Sequence, residues 1–233
     1  MRDCVLEGRG IGKSFGEGEL AVRALHPTDI QIRAGEVLVI MGPSGSGKTT
    51  LLSLLGLVLK PTEGDVLVGG RPVRGAGEDA LAELRRDAVG FVFQQFNLLA
   101  GLTAAENVGL PLLLRGVDAS GRAARARRAL ETVSMTEKSA VKARLLSGGQ
   151  QQRVAIARAL VGGARVLLCD EPTASLDGRT GGEVLDTLRR LAGEEGRAVV
   201  IVTHDERVLR VADRLVHVED GRAREGRFDA ARA

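Results

Sequence analysis

The sequence has no Trp and no Tyr, and its aromatic rings are five Phe. That scarcity, with basic residues scattered and not interleaved with aromatics, excludes a nucleic-acid surface built on base stacking. Lys and Arg (33) nearly balance Asp and Glu (30), so the net charge of +3 gives no strong field to steer a polyanion, and the Arg residues read as a solvated face. There are two cysteines, Cys4 and Cys169, far apart in the chain. Cys169 ends an apolar run, which suits a buried thiol and not a disulfide framework. No apolar stretch reaches transmembrane length: the run from Thr49 to Leu59 is too short and has Lys48 and Lys60 at its ends. Met1-Arg2-Asp3-Cys4 begins no secretory signal. The expected location is therefore cytoplasmic, with any membrane role exercised through a partner.

What is present is enough apolar residue (44%) over 233 positions to bury one large domain, or a core with a subdomain. The informative stretch is Val37-Leu38-Val39-Ile40-Met41 followed by Gly42, Pro43, Ser44, Gly45, Ser46, Gly47, Lys48, Thr49 and Thr50. It reads as a buried strand, a tight glycine loop and the first turn of a helix, and it fits G-x-x-x-x-G-K-[ST]. Gly45 and Gly47 let the backbone close round a phosphate. The N–H groups of Gly45 to Thr50 then face inward at the positive end of a helix dipole. Lys48 supplies a point charge for the β- and γ-phosphates, and the Thr49 hydroxyl can ligate Mg²⁺.

Around this loop the chain alternates strand and helix signals. Strands are expected at Val5-Leu6, Leu20-Ala21-Val22, Ile30-Gln31-Ile32, Val66-Leu67-Val68, Val89 to Phe93, Val166 to Cys169, Ala198 to Val202 and Arg214 to Val218. Phe15, in a strand-to-loop segment upstream of the glycine loop, either stacks on a nucleobase or packs in the core. Gln94-Gln95 ends a strand, where open α/β sheets place ligands, although such a pair also suits a solvated loop. Residues 97–146 are rich in Ala, Leu and Arg and read as an inserted helical block. Thr103 to Glu106 fits a capping box, Pro111 limits or kinks that helix, and an amphipathic helix follows to Val133 with Ala123, Ala126, Leu130 and Val133 inward. From Glu219 the Gly-, Ala- and Arg-rich tail is expected to be loose.

Three further sites carry chemistry. Leu146-Ser147-Gly148-Gly149-Gln150 opens a helix that Ser147 can cap, leaving a second anion site without a lysine. Two phosphate sites for one triphosphate are reconciled if a second copy completes each site. Asp170-Glu171 ends a buried strand: Asp170 suits Mg²⁺ held through water, and Glu171 suits activation of an attacking water. His204 follows the apolar strand Ala198–Val202, at the same carboxyl edge as the other candidates.

The ordered set Gly42–Thr49, Gln94, Leu146–Gln150, Asp170-Glu171, Ser175-Leu176-Asp177 and His204 resembles the ATPase subunit of an ATP-binding cassette (ABC) transporter, over nearly the whole chain. The resemblance implies a single α/β domain. Its P-loop NTPase core would be a RecA-like mixed sheet with an N-terminal antiparallel β subdomain (1–94 and 150–220). An inserted α-helical subdomain (95–149) would carry the signature pentapeptide, and 221–233 would be a loose tail. It implies ATP and Mg²⁺ as ligands, and an ATP-bound head-to-tail homodimer in which one P-loop and the other subunit's Ser147–Gln150 sandwich each nucleotide. Glu171 would be the general base and His204 would hold the γ-phosphate and water. Gln94 would sense Mg²⁺ at the interface with an integral membrane permease, and Asp177 would bridge the two sites. No nucleic-acid partner is implied: nucleic-acid members of the family carry long coiled coils or tandem cassettes. The segments Gly90–Leu99, Leu102–Val108 and Pro111–Gly116 are similar to the MacB, lipoprotein-release and DevA-like exporters, although amino-acid importers share part of them and a cell-wall remodelling complex could use the same motifs. The Pro often found before the pentapeptide is absent, the sequence there being Lys142-Ala143-Arg144-Leu145.

Overall fold

The computed structural model describes residues 2–226. A long bulged hairpin comes first, β1 (Cys4–Phe15) and β2 (Val22–Arg33), then β3 (Val37–Met41), helix α1 (Lys48–Leu55), β4 (Glu63–Val68) and β5 (Arg71–Pro72). Helix α2 (Glu78–Ala88) leads into β6 (Val89–Val92), and helices α3 (Ala104–Leu113), α4 (Ala119–Thr132) and α5 (Gly148–Leu160) follow. The chain then runs through β7 (Val166–Asp170), α6 (Gly178–Gly193), β8 (Ala198–Thr203), β9 (Arg214–Glu219) and β10 (Arg222–Gly226).

Two sheets form. One is antiparallel with order β2-β1-β4-β5; the other has order β10-β9-β3-β8-β7-β6, parallel except for β10. The central strands β3, β8 and β7 are buried on both faces, which is why their sequences are continuous apolar runs, whereas β9 and β10, towards one edge of the sheet, carry exposed charged residues. Side chains nevertheless divide by the strand period of two. Leu38, Ile40, Leu168, Val200 and Val202 pack towards α1 and the antiparallel sheet. Val39, Met41, Leu167, Cys169, Val199 and Ile201 pack towards the buried faces of α5 and α6. The result is three layers, with the parallel sheet in the middle.

Residues 95–149 contribute helices and an isolated bridge, Thr103 to Lys142, with no strand among them. The Thr103 capping box forms in both halves: Thr103 N–H donates to Glu106 Oε2 at 2.7 Å and Glu106 N–H to Thr103 Oγ1 at 3.2 Å. Pro111 lies inside α3, in its last turn, without ending it. Ala126 and Leu130 face inward as the period of 3.6 requires, but Ala123 is exposed and Ala129 is the buried residue instead. Ala104, Val108, Leu112 and Leu130 join the same apolar cluster as the sheet and α5, so this block is not held by a core of its own. The fully buried Asn107 side chain takes the N–H of Leu99 at 2.7 Å and donates to the carbonyls of Leu99 and Thr103, pinning the chain that follows Gln94 to α3.

Two expectations need correction. The strand expected at Leu20-Ala21-Val22 is a 3₁₀ turn (Gly18–Leu20), and strand β2 begins only at Val22. The tail expected to be loose over 221–233 is ordered through Gly226: β10 pairs antiparallel with β9. Asp220 and Gly221 form the two-residue turn, with φ of +46° and +71°. Two successive positive φ values are what a tight hairpin of the right twist demands, and Asp-Gly is the dipeptide that supplies them. Residues 227–233 lie outside the described residues.

Candidate nucleotide site

Four parallel strands deliver the candidate residues to one edge. In the order β3, β8, β7, β6 their carboxyl ends carry Gly42, His204, Asp170-Glu171 and Gln94. A parallel sheet aligns these ends by construction, and such an edge is where open α/β sheets bind ligands.

The loop after β3 has the geometry its glycines suggest. Gly47 stands at the N-cap of α1 with φ +106°, and a Cβ there would fall 2.5 Å from the Ala24 carbonyl oxygen. Only glycine fits that approach. Below the loop, Gly221 N–H donates to Ser46 O at 2.9 Å and His26 N–H to Gly221 O at 2.7 Å, so the β9–β10 turn ties the loop to β2. Lys48 folds back over the loop and donates to the carbonyls of Gly42 (2.8 Å) and Pro43 (2.7 Å). It is buried, yet carbonyl oxygens are its hydrogen-bond partners. Ser46 Oγ is buried without a hydrogen bond. A cation answered only by carbonyl oxygens, an orphaned hydroxyl and the bare N–H groups of the first turn of α1 together suit an anion of high charge density.

The acidic pair sits two strands away. Burial first, and the charge of Glu171 second, push the Asp170 carboxyl above the usual carboxylate range, while Lys48 pulls it down. Glu171 has left-handed backbone, φ +48°, held by its N–H donating to Val202 O at 2.8 Å. That conformation is uncommon for a residue with a Cβ and accompanies functional positions. Glu171 Oε2 accepts from Thr203 Oγ1 at 2.8 Å, and Oε1 lies 2.6 Å from His204 Nδ1. Among the described residues no three His, Cys, Asp or Glu gather as a metal cage. A hard cation that keeps its waters and binds phosphate needs only one or two protein oxygens. The Thr49 hydroxyl and the Asp170 carboxylate, each beside the P-loop edge of the sheet, fit Mg²⁺ on those terms.

Phe15 ends β1 and is 43% exposed as a residue, so it is not core packing. Lys13 Nζ lies 5.4 Å from the ring centroid. Gln94 is exposed just beyond β6. The signature segment is not brought to the P-loop of its own chain: Ser147, Gly149 and Gln150 line a separate groove with Lys138, Arg153 and Arg179. Ser147 caps α5 in a second capping box, its N–H donating to Gln150 Oε1 at 3.1 Å. Gly149 has a packing reason as well as an electrostatic one, since a Cβ there would overlap the Thr180 methyl at the start of α6. Asp177 is the N-cap of α6 and accepts the N–H groups of Arg179 (3.1 Å) and Thr180 (3.0 Å). Cys169 is fully buried, and burial pushes its thiol far up; with Cys4 exposed, both thiols are free.

Sequence reasoning missed Thr203, which anchors the second oxygen of Glu171, and Gln152, buried in α5 and donating to Pro172 O at 2.8 Å beneath the acidic strand end. Neither sits in a motif, and each is legible only once strand ends and helix faces are known.

A buried strand, a glycine loop closing on a lysine and a helix, with an acidic pair at the end of a strand two places away in the same parallel sheet, define a P-loop NTPase fold. The chain belongs to the ABC transporter family, whose family model, described as "ABC transporter", matches residues 25–174. It is 45% identical over 217 residues to an uncharacterized ABC transporter ATP-binding protein, MJ0796, of Methanocaldococcus jannaschii, covering 91% of this chain and 92% of that one. It is 49% identical over 214 residues to a macrolide export ATP-binding/permease protein MacB of Paracoccus denitrificans, covering 92% of this chain. It spans only about a third (32%) of that relative's length. The solved dimer of MJ0796 in a post-hydrolysis state with ADP and Pi superposes with a TM-score of 0.86 at 41% identity, covering 97% of this chain and 99% of that one.

Proposed function

We propose that this cassette is the ATP-hydrolysing engine of a transporter: two copies close head to tail over two MgATP and drive a separate membrane-spanning permease of the MacB or lipoprotein-release type. The observation that carries the reading is the placement of Ser147–Gln150. Ser147 stands exposed at the N-terminus of α5, and the groove it lines with Gly149 and Gln150 contains no residue of this chain's own P-loop.

In the closed pair, Phe15 stacks on the adenine. The loop from Gly42 to Thr50, with Pro43, Ser44, Gly45, Ser46 and Gly47 between them, wraps the phosphates with backbone N–H groups, and Lys48 leaves its carbonyl partners for the β- and γ-phosphates. Ser147, Gly148, Gly149 and Gln150 of the second copy bring the α5 N-terminus to the γ-phosphate. Asp177, at the N-cap of α6, lies between the two sites. Thr49, Asp170 and Gln94 would hold Mg²⁺, which would supply charge neutralisation for the phosphates. Glu171 takes the proton of a water whose oxygen attacks the γ-phosphorus, the bond to the β–γ bridging oxygen breaks, and ADP and phosphate leave. His204 holds Glu171 and the γ-phosphate in register. Phosphoryl transfer is largely positioning and charge stabilisation, so a site missing half its donors is slow, and hydrolysis reports closure.

The partner is expected at the block beside Gln94, where Phe93, Leu99, Leu113 and Leu114 are exposed and a groove of 330 Å³ opens between α3 and α4. Among the described residues no helix is long and apolar enough to cross a membrane. The reading therefore places the cassette at the cytoplasmic face of the membrane, held there by the permease.

The test is ATP turnover per subunit as a function of protein concentration, with molar mass followed by light scattering in MgATP. Turnover per subunit should rise with concentration as dimer forms. A strictly monomeric sample at full speed would overturn the composite site.

A further inference from the structure

Arg158 lies in α5, roughly three turns from Ser147. Its guanidinium donates to the carbonyl oxygens of Phe96, at 2.8 Å, and of Asn97. These two residues have φ of +58° and +50°. Two consecutive left-handed residues that both carry a Cβ are unfavourable, and persist only where the surroundings fix them. They immediately follow Gln94 and Gln95. The charge of Arg158 is half-buried, and desolvation is the one influence acting on it: burial lowers its pKa with no carboxylate opposing. What holds the guanidinium there is the pair of loop carbonyls it grips, Phe96 and Asn97.

We propose that Arg158 is a positioning residue for Gln94. Its planar fork grips both carbonyls of the left-handed pair and fixes where the loop carrying Gln94 meets the nucleotide. Because Ser147 stands at the other end of the same helix, the cover of one nucleotide and the Gln94 loop of the same chain move as one rigid piece. The inference rests on the ATPase reading above. A lysine cannot replace the fork, since an ammonium is a point donor on a flexible stem.

The test is a double-mutant cycle on steady-state ATP hydrolysis with Arg158→Met, Gln94→Ala and the pair, alongside Arg158→Lys. Arg158→Met should lower kcat by about 10- to 100-fold, the scale of a displacement of about 1 Å, with little change in KM for ATP. The pair should fall no further than Gln94→Ala alone. Arg158→Lys should resemble Arg158→Met, and it carries the cycle if the methionine variant does not fold. Effects that multiply, a lysine variant as active as the parent, or a Gln94→Ala variant with undiminished kcat would each overturn the proposal. A parent protein that fails to hydrolyse ATP at any concentration would instead overturn the ATPase reading.

Discussion

His204 Nδ1 stands 2.6 Å from Glu171 Oε1, while the other oxygen of Glu171 accepts from Thr203 Oγ1 at 2.8 Å. The two partners come from the ends of adjacent strands, β7 and β8, so sheet register alone brings them together. Against an ionised Glu171, Nδ1 must donate, and a neutral ring then presents Nε2 as an acceptor. A phosphate oxygen is also an acceptor. To hold one, the His204 ring must either take a second proton or turn away from Glu171, and each change alters the carboxylate at the moment nucleotide enters. On the proposed reading the contact is a resting arrangement that nucleotide binding would rearrange.

Replacing Glu171 with Gln keeps the size and the hydrogen-bonding reach towards Thr203 and His204 but removes the base. Turnover should fall by about 10²–10⁴-fold, the usual share of a general base. ATP should still bind, and the ATP-bound dimer should accumulate on sizing chromatography. Normal turnover in this variant would remove Glu171 from its role.

Ser147→Arg places a bulky cation where the α5 N-terminus should face the other copy's nucleotide. Hydrolysis should be abolished while each subunit still binds ATP. Loss of the cap alone costs about 1 kcal/mol, and Ser147→Ala, which loses the cap without adding bulk, separates the two effects. Wild-type hydrolysis by the arginine variant would dismiss a shared site.

Phe15→Ala should weaken ATP binding and leave the fold intact, because Phe15 is 43% exposed and outside the apolar core. Stacking of a base on an aromatic is worth about 1–3 kcal/mol, so KM should rise by about 5- to 150-fold with kcat nearly unchanged. An unchanged KM would mean that the adenine rests elsewhere.

Much of this was legible beforehand, for a physical reason. The P-loop, the capping boxes and the doubly buried strands are set by local chemistry: backbone that must close on an anion, helix ends that need acceptors, strands with no wet face. Thr103 and Ser147 cap the helices their sequences announced. At the end of the chain the Gly-, Ala- and Arg-rich composition points to a loose tail, but the local turn geometry of Asp220-Gly221 dictates a hairpin and prevails. Thr203, Gln152 and Arg158 were invisible for a different reason. Each acts on a group 20 or more residues away, Arg158 on Phe96, Gln152 on Pro172 and Thr203 on Glu171, and only the packing of α5 against the strand ends and the pairing of β7 with β8 reveal them.

Asp170→Asn sets stability against function. Burial and the neighbouring Glu171 charge raise the Asp170 pKa in the folded chain. A carboxyl whose folded pKa lies above its unfolded one favours folding only while protonated, below the unfolded value of about 3.9. That contribution is lost as pH rises through the folded value, and at neutral pH the ionised group is a cost. The asparagine variant escapes the cost and should melt higher than the parent without nucleotide at neutral pH. The difference should shrink towards pH 4. With MgATP the order should reverse, since the parent gains the stabilisation of bound ligand and the variant, lacking the carboxylate, gains less. Melting temperatures of both proteins from about pH 4 to about pH 8, with and without MgATP, check this. A variant that melts lower than the parent in the absence of nucleotide would show that Asp170 is held by folding contacts and not reserved for the metal.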